Sequence, residues 1–409
     1  MTNPENLTNE KVQKKVDFNF PILTIRTKFF NSFFDKLGSY SITKFFARIS
    51  VIIVPVVAFV GLYLLINSLI NILWTPAVRE ISRELGPTAY LLLPGINPML
   101  PFLYGWLAII VAISIHEGAH GIVARNLGFN VKSSGLLFFL IIPIGAFVDV
   151  DEEQISKAKP RPALKVMAAG VGANVLLALI CLMGMIIIIS GVTPAINGVY
   201  VYSVVDDGPA QLGGIQIGDV FVSVDNLTIS SYSDIQDLFK DKEVGEVVSL
   251  TVARGEGWKD YYSTNVTLIE SEGRAIMGVG LGDLTTDARL QQYQTLSLET
   301  FTLYLIPPAL APGFVPFSDS LSSFYSSPLG PQWAVYVNIL FWIWFVNINV
   351  AVFNALPLYP MDGGRIFDIT LKQSLNKKAS EKTIHNITIA VTLTIVLILA
   401  MIIAIPFLF

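Results

Sequence analysis

Two histidines and one glutamate lie close together in one of the most apolar stretches of the chain. The sequence there reads His116-Glu117-Gly118-Ala119-His120. Because four residues make slightly more than one helical turn, both imidazoles lie on one helix face and can bind one metal ion. A catalytic zinc site keeps one position open for water, and Glu117 is placed to take a proton from that water. The pattern predicts a hydrolytic zinc site with Glu117 as the catalytic residue.

The alternative is that two core histidines and a glutamate fall into this register by chance. The chain has three histidines in 409 residues. A chance match to the whole pattern is then about a one-in-a-thousand event. Ionisable side chains are also costly in an apolar, membrane-like environment and are usually functional there. These two arguments favour metal binding by His116 and His120.

A catalytic zinc site needs a third protein ligand, and the sequence offers three candidates. His385 opens the last apolar run, where an interfacial helix cap is the simpler interpretation, and Cys181 stands alone in an apolar helix, as packing residues do. Asp362 is the leading candidate, because Pro357 and Pro360 interrupt the helix before it and two glycines follow it. The alternative for Asp362 is an Asp-Gly turn that ends a helix at the membrane surface.

Three sequence blocks share their order and spacing with a known family. They are His116-Glu117-x-x-His120, the segments 145–153 and 161–174, and Asn354-x-x-Pro357-x-x-x-x-Asp362-Gly363. Together they span about residues 100 to 370 and resemble the site-2 protease family of intramembrane zinc metalloproteases, peptidase family M50. The pair formed by the first and third blocks is far more specific than either block alone.

The resemblance implies a ligand set and a set of substrate contacts. In that family the aspartate of the third block completes the zinc site, which makes Asp362 the expected third ligand beside the two histidines. The resemblance also suggests that Asn349 and Asn354 bind the substrate backbone. It places Asn174, the third expected substrate contact, near the site. The expected cofactor is Zn²⁺.

The composition predicts a polytopic membrane protein. The mean hydropathy is +0.61, 53% of the residues are hydrophobic and 14% are charged. The net charge of −4 leaves no basic patch for nucleic acid, so no nucleic-acid partner is expected. The single cysteine excludes an internal disulfide.

Five runs are apolar over a length that can span a bilayer. They are Phe46–Leu73, Pro101–Val123, Leu164–Ile189, Trp333–Leu356 and Ile387–Phe409. A further apolar run, Gly135–Val148, is too short to span and predicts a re-entrant or interfacial hairpin. The expected fold class is therefore a polytopic α-helical membrane protein with five to six spans, a re-entrant hairpin and an inserted α+β domain.

The expected domain order follows from these runs. Residues 1–45 form a cytosolic, amphipathic N-terminal segment, and residues 46–190 and 333–409 form the two parts of the membrane domain. Residues 195–283 form the inserted domain, and residues 284–332 form an interfacial connector. With five spans, 19 of the 27 Lys and Arg residues fall on the side of the N-terminus, when Arg48 and Lys165 at the ends of their spans are counted with that side. The positive-inside rule makes that side cytosolic and the inserted domain extracytoplasmic.

The inserted segment resembles a PDZ domain. Its signals are Gly208-Pro-Ala, Gly214-Ile-x-x-Gly218-Asp219, a helix over residues 233–239 and a strand over residues 245–254. PDZ domains bind extended peptides by adding a strand to a sheet edge. Residues 278–281, Gly-Val-Gly-Leu, are the expected peptide-binding edge. The alternative is a folded spacer that binds no ligand.

These observations predict an intramembrane zinc endopeptidase that cleaves membrane proteins with a single transmembrane helix. Its other expected partners are peptide segments at the PDZ-like domain and the lipid bilayer. One alternative is a catalytically inactive membrane scaffold that presents the PDZ-like domain, although a structural metal site has no need of Glu117. A second alternative is an ion-coupled transporter, which the lack of apparent internal repeats disfavours.

Overall fold

The computed structural model describes residues 15–140, 142–196, 198–255, 257–271, 273–284, 288–311, 313–375 and 378–408. The first 14 residues of the predicted N-terminal segment lie outside the described residues. The chain divides into two compact units, one formed by residues 1–180 and 342–409 and the other by residues 181–341.

The α-helices, numbered in chain order, are α1 (Asn31–Gly38), α2 (Ser41–Trp74), α3 (Pro76–Leu85), α4 (Phe102–Asn126), α5 (Glu152–Lys157), α6 (Pro160–Ser190), α7 (Pro209–Leu212), α8 (Tyr232–Phe239), α9 (Ala288–Gln294), α10 (Leu298–Phe301), α11 (Trp333–Ala355), α12 (Asp362–Ser374) and α13 (Glu381–Leu408). Short 3₁₀ helices cover Pro87–Tyr90, Thr302–Leu305 and Ser322–Phe324.

The β-strands are β1 (Val16–Asn19), β2 (Ile22–Thr27), β3 (Val131–Phe139), β4 (Ile142–Val150), β5 (Thr193–Pro194), β6 (Val199–Val204), β7 (Val220–Val224), β8 (Leu227–Thr228), β9 (Val247–Arg254), β10 (Asp260–Thr267), β11 (Ile269–Ser271), β12 (Arg274–Ile276), β13 (Val279–Asp283) and β14 (Tyr325–Ser326).

Five helices of the described chain are long and apolar enough to cross a bilayer: α2, α4, α6, α11 and α13. Their most apolar windows have mean hydropathies from 1.7 to 2.9. A helix that is apolar all round has to be surrounded by lipid or by other helices. The protein is therefore a multi-pass membrane protein, and the predicted α-helical fold class is confirmed with five candidate spans.

Small residues bring three of these helices close together in the first unit. Ala168 and Val171 of α6 pack with Ala351 and Ala355 of α11 and with Val54 of α2 in one buried cluster. Small side chains at such contacts let helix backbones approach closely inside a membrane. A second buried cluster contains residues of α1, α2, α4 and α6, and α4 is the helix that carries His116 and His120. The helix that carries the two histidines is therefore packed from several sides.

The short apolar run 135–148 forms a β-hairpin from β3 and β4. The N-terminal segment, expected to be simply amphipathic, supplies two more strands, and the sheet order is β1-β2-β3-β4. The partner residues in β2 and β3 are more than 100 positions apart, as in the pair Thr24 and Leu137. A local sequence pattern cannot predict a pairing between residues so far apart in the chain. β4 forms one edge of this sheet.

The second unit contains the inserted α+β domain. Its main sheet has the order β10-β9-β7-β6-β13, with β8 paired to β7 and β13 at one edge. Apolar side chains of β6, β7, β9 and β10 meet those of α8 in one buried cluster. The predicted helix (233–239) and strand (245–254) of this segment are present as α8 and β9, and the sheet with α8 against it agrees with the expected PDZ-like architecture.

Candidate metal centre

Three side chains from two helices converge in the first unit. His116 and His120 are buried on consecutive turns of α4, with 7% and 8% of their surface exposed. The Oδ2 atom of Asp362, the first residue of α12, lies 3.1 Å from Nε2 of each histidine. The structure therefore brings together residues 242 positions apart or more in the sequence, as the predicted ligand set requires.

The geometry of this cluster fits a small divalent metal ion. One ligand atom from each of the three residues lies within 4.8 Å of the others. In a tetrahedral zinc site with bonds of about 2.0–2.1 Å, neighbouring ligand atoms lie about 3.3 Å apart. The buried Oδ2 of Asp362 makes no hydrogen bond among the described residues. Two imidazoles and one carboxylate form a ligand set that suits zinc and leaves a fourth position.

Helix α6 orients the two imidazoles from the other side. Nδ1 of His120 lies 2.7 Å from the backbone oxygen of Val166. Donation of a proton from Nδ1 to that carbonyl leaves the Nε2 lone pair free for a metal, the arrangement seen in most metal-binding histidines. One turn further, Gly170 packs directly against both rings. A Cβ atom there would lie 2.5 Å from Nε2 of His116 and 2.6 Å from Nε2 of His120.

The break between α11 and α12 positions Asp362. After α11 ends at Ala355, the chain turns through Pro357 and Pro360 and enters α12 at Asp362. A Cβ at Gly363 would lie 2.2 Å from the backbone oxygen of Ala355, so only glycine permits this approach. Burial alone would raise the pKa of the Asp362 carboxyl, but the adjacent imidazoles outweigh burial and lower the pKa below its usual range.

Glu117 faces the same cavity and is held by the hairpin. The backbone N–H of Val148 on β4 donates to Oε2 of Glu117 at 3.1 Å. The cavity has a volume of about 280 Å³, and its lining includes the two histidines, Glu117 and Asp362. A hydrogen bond from an edge strand thus fixes the carboxylate beside the candidate metal ligands.

The three asparagines have different positions. Asn354 lines the 280 Å³ cavity, while Asn349 and Asn174 are not among the described residues that line it. The side-chain amides of Asn349 and Asn354 donate to carbonyls one turn back on α11, at 2.7 and 3.0 Å. Asn174 is fully buried on α6. Their roles in substrate binding stay predictions.

Comparison with known proteins identifies the family of this chain. The model of the family described as peptidase family M50 matches residues 104–399. This chain belongs to peptidase family M50. The M50 match includes both histidines, Glu117, the asparagines and Asp362, so the predicted resemblance to the site-2 protease family is confirmed.

Several relatives align over two thirds of the chain or more. An uncharacterized protein of Methanocaldococcus jannaschii is 25% identical over 389 residues, which cover 90% of this chain and 86% of that protein. A Clostridium perfringens protein, named as a candidate zinc metalloprotease, is 27% identical over 314 residues, covering 69% of this chain and 91% of the relative. The solved PDZ domain of an SdrC-like protein from Listeria monocytogenes is 27% identical, with a TM-score of 0.19, over 21% of this chain and 88% of that domain.

Sequence reasoning did not identify the supports of this M50 site. Gly170, the Val166 carbonyl and the Val148 N–H each act through a contact with the motif helix. Gly170 belongs to a recognised block, so a glycine inside an apolar helix was an available signal of close packing. Backbone groups have no sequence signature, and the third histidine, His385, lies outside the cluster, edge-to-face with Tyr359.

Proposed function

We propose that this M50 chain is an intramembrane zinc endopeptidase, with zinc held by His116, His120 and Asp362. The observation that carries the proposal is the convergence of these three side chains around one point, with the Glu117 carboxylate in the same cavity. A purely structural metal site would fill all four positions with protein ligands and would not need this carboxylate.

Each residue of the site has a defined task in peptide hydrolysis. A zinc ion bound there supplies Lewis-acid activation of water and of the scissile carbonyl. Glu117 takes the proton from the attacking water and later gives it to the departing amine. The N–H of Val148 keeps the Glu117 carboxylate oriented toward the cavity, and the Val166 carbonyl keeps the His120 ring in the metal-binding tautomer.

The substrate class follows from the membrane setting. A transmembrane helix uses its peptide carbonyls in its own hydrogen bonds, so it has to unwind before water can attack one of them. The free edge of β4 is next to Glu117 and offers backbone partners to an unwound, extended segment. Asn354, in the cavity lining, offers a side-chain partner. Membrane proteins with one transmembrane helix fit these requirements.

The inserted domain and the orientation complete the proposal. A groove of about 850 Å³ lies between α8 and the edge strand β13, with Ile235 and Phe239 on one wall and Gly278, Val279 and Leu281 on the other. An extended peptide can add a strand to β13 in this groove. The excess of Lys and Arg supports a cytosolic N-terminus and an extracytoplasmic inserted domain.

The exchange of Glu117 for glutamine tests the mechanism. Glu117→Gln removes the proton acceptor and keeps the three ligands, so we expect one zinc ion per chain and at least a hundredfold loss of cleavage of a single-span substrate, the lower bound for losing a general base. His116→Ala and Asp362→Ala should lose zinc as well as activity. Normal cleavage by the Glu117→Gln protein would disprove this mechanism. A wild-type protein that binds zinc and cleaves no membrane protein in cells would support the scaffold alternative.

A further inference from the structure

A second cavity opens next to the metal cavity in the first unit. It has a volume of about 580 Å³ and lies between α5, the start of α6 and α12. Glu152, Ile155, Met167 and Arg365 line both cavities. Because these walls are shared, a chain that passes the metal site can continue directly into the second cavity.

The length and chemistry of this cavity fit an extended peptide outside the bilayer. Along α12 its lining extends from Arg365 to Gln373, about 12 Å at 1.5 Å per residue. An extended chain of about four residues covers that distance at 3.3 Å each. Ser156, Asp368 and Lys372 also contribute polar atoms. Neither α5 nor α12 belongs to the candidate spans, and the α6 residues of the lining, Pro160, Ala163 and Met167, lie in the first two turns of their span. The cavity is therefore at the end of the spans, where a bound segment would lie beside the transmembrane helix of the substrate.

An ion pair crosses the boundary between the two cavities. Nη1 of Arg365 lies 3.2 Å from Oε1 of Glu152, which links α12 to α5. Nε of Arg365 donates to the backbone oxygen of Pro360 at 3.0 Å, in the loop that leads to Asp362. The Glu152 side chain is 77% exposed and that of Arg365 is 40% exposed. Exposed ion pairs contribute little to stability, so the fold loses little stability when this pair is broken.

The other acidic group of the described lining, Asp368, is only 13% exposed and has two partners. Nζ of Lys372 lies 2.7 Å from Oδ2 of Asp368, and the hydroxyl of Thr388 donates to Oδ1 of Asp368 at 3.3 Å. Glu152 is therefore the acidic group of the lining that an incoming cation can recruit at the lowest cost, by replacing Arg365. Polypeptide segments that flank a span on the cytosolic side are enriched in Lys and Arg.

We propose that the second cavity binds the basic segment that flanks the transmembrane helix of the substrate, and that Glu152 exchanges Arg365 for a Lys or Arg of that segment. This inference rests on the proposed function, since it names a feature of the proposed substrates. The exchange opens the boundary between the cavities only when a basic segment arrives. Glu152 is then a specificity-determining residue, and Arg365 is the internal cation that occupies its place in the substrate-free protein.

The test compares substrates that differ only in the flank. Three versions of one single-span substrate carry Lys, Gln or Glu at the four positions that follow the transmembrane helix on the α12 side. We expect wild type to cleave the Lys version about fivefold faster than the Gln version, the upper range for one exposed ion pair. Glu152→Lys should abolish or invert this preference.

The neighbouring acid supplies the matched control. Glu153 is 74% exposed and pairs with Lys157 instead of Arg365, so Glu153→Lys makes the same charge change outside the cavity and should keep the wild-type preference. An unchanged preference in Glu152→Lys, or the same change in both variants, would overturn the proposal. Affinities of the three substrates for Glu117→Gln and Glu117→Gln/Glu152→Lys proteins are measured in parallel. If wild type cleaves none of the substrates, the proposed function fails, and the affinities alone then decide the flank preference.

Discussion

At the scale of single residues, the candidate metal centre depends on a position that has no side chain. Gly170 of α6 lies against both imidazoles, and a Cβ there would come within 2.5 Å of the His116 ring. Real Cβ contacts do not occur at such distances, so an alanine has to displace the rings or the helix. We expect Gly170→Ala to weaken zinc binding about 10- to 100-fold, the usual cost of disturbing the support of a metal ligand. Zinc titration of the purified protein checks this.

Gly184 on the same helix provides the control for this substitution. A Cβ at Gly184 would lie 3.1 Å from Cδ1 of Leu340, the end of a side chain that can shift. Gly184→Ala should therefore bind zinc as tightly as wild type. Wild-type zinc affinity in a folded Gly170→Ala protein would show that the rings do not depend on this close approach.

At the residue scale, the sequence predicts those features of the site that depend on a fixed spacing. His116, Glu117 and His120 are one helical turn apart, so their shared face follows from helix geometry alone. The prolines and glycines around Asp362 made it the leading third ligand, and the family resemblance strengthened that prediction, because no local rule connects residues more than 200 positions apart. The contacts that orient the ligands, from Val166 and Val148, are made by backbone atoms. The types and spacing of side chains in the sequence therefore do not predict these contacts.

At the scale of secondary structure, the long helices were predictable and the small sheet was not. Apolar runs of more than 20 residues identify α2, α4, α6, α11 and α13 with boundaries shifted by a few residues. β1 and β2 lie in a segment that has no long apolar run, and their place in the sheet depends on pairing with β3. Strand pairing is non-local, so the sequence predicted a hairpin over 135–148 and missed the two strands that extend it.

The edge strand β4 supports a prediction about substrate binding. Val148 donates outward to Glu117, and Ala146, two residues earlier and paired with Leu136, directs its N–H to the same edge. Ala146→Pro removes that donor without removing a bond of the sheet. We expect unchanged zinc content and about a fivefold loss of cleavage, the value of one backbone hydrogen bond.

A proline substitution on the opposite edge strand, β1, is the control for Ala146→Pro. Phe18 lies on β1, and the bond from Arg26 to Lys15 shows that the N–H of Phe18 faces away from β2. Phe18→Pro should leave cleavage unchanged. Equal losses in the two variants would mean that the sheet tolerates no proline and that the edge of β4 has no special role.

At the scale of the whole molecule, five candidate spans and the charge distribution predict a cytosolic N-terminus and an extracytoplasmic inserted domain. Lys240 lies in the inserted domain and Lys382 in the first turn of α13, and both are exposed. Cys181 is a buried free cysteine, so a Cys181→Ala background gives a protein without thiols. Lys240→Cys should react with an impermeant thiol reagent in intact cells, and Lys382→Cys should react only after the membrane is opened. The reverse result would invert the orientation.

The inserted domain of the second unit raises the last question, whether it admits substrates or excludes them. It occupies residues 195–283 between α6 and α11, and the positive-inside rule predicts that it is extracytoplasmic. We expect it to restrict access of substrates with bulky outer domains. Replacement of residues 195–283 by a flexible linker should keep the zinc content and allow cleavage of a full-length substrate, which wild type should cut only after its outer domain has been trimmed.

A point substitution separates the bulk of this domain from its groove. Gln236 is exposed on α8 and lines the groove beside β13, so Gln236→Trp obstructs the groove and leaves the domain in place. If the domain acts by its bulk, Gln236→Trp should cleave trimmed substrate like wild type and should still reject the full-length form. If the linker variant binds zinc but cuts neither form, and Gln236→Trp loses cleavage of the trimmed form, the domain recruits substrates through its groove and the exclusion hypothesis is wrong.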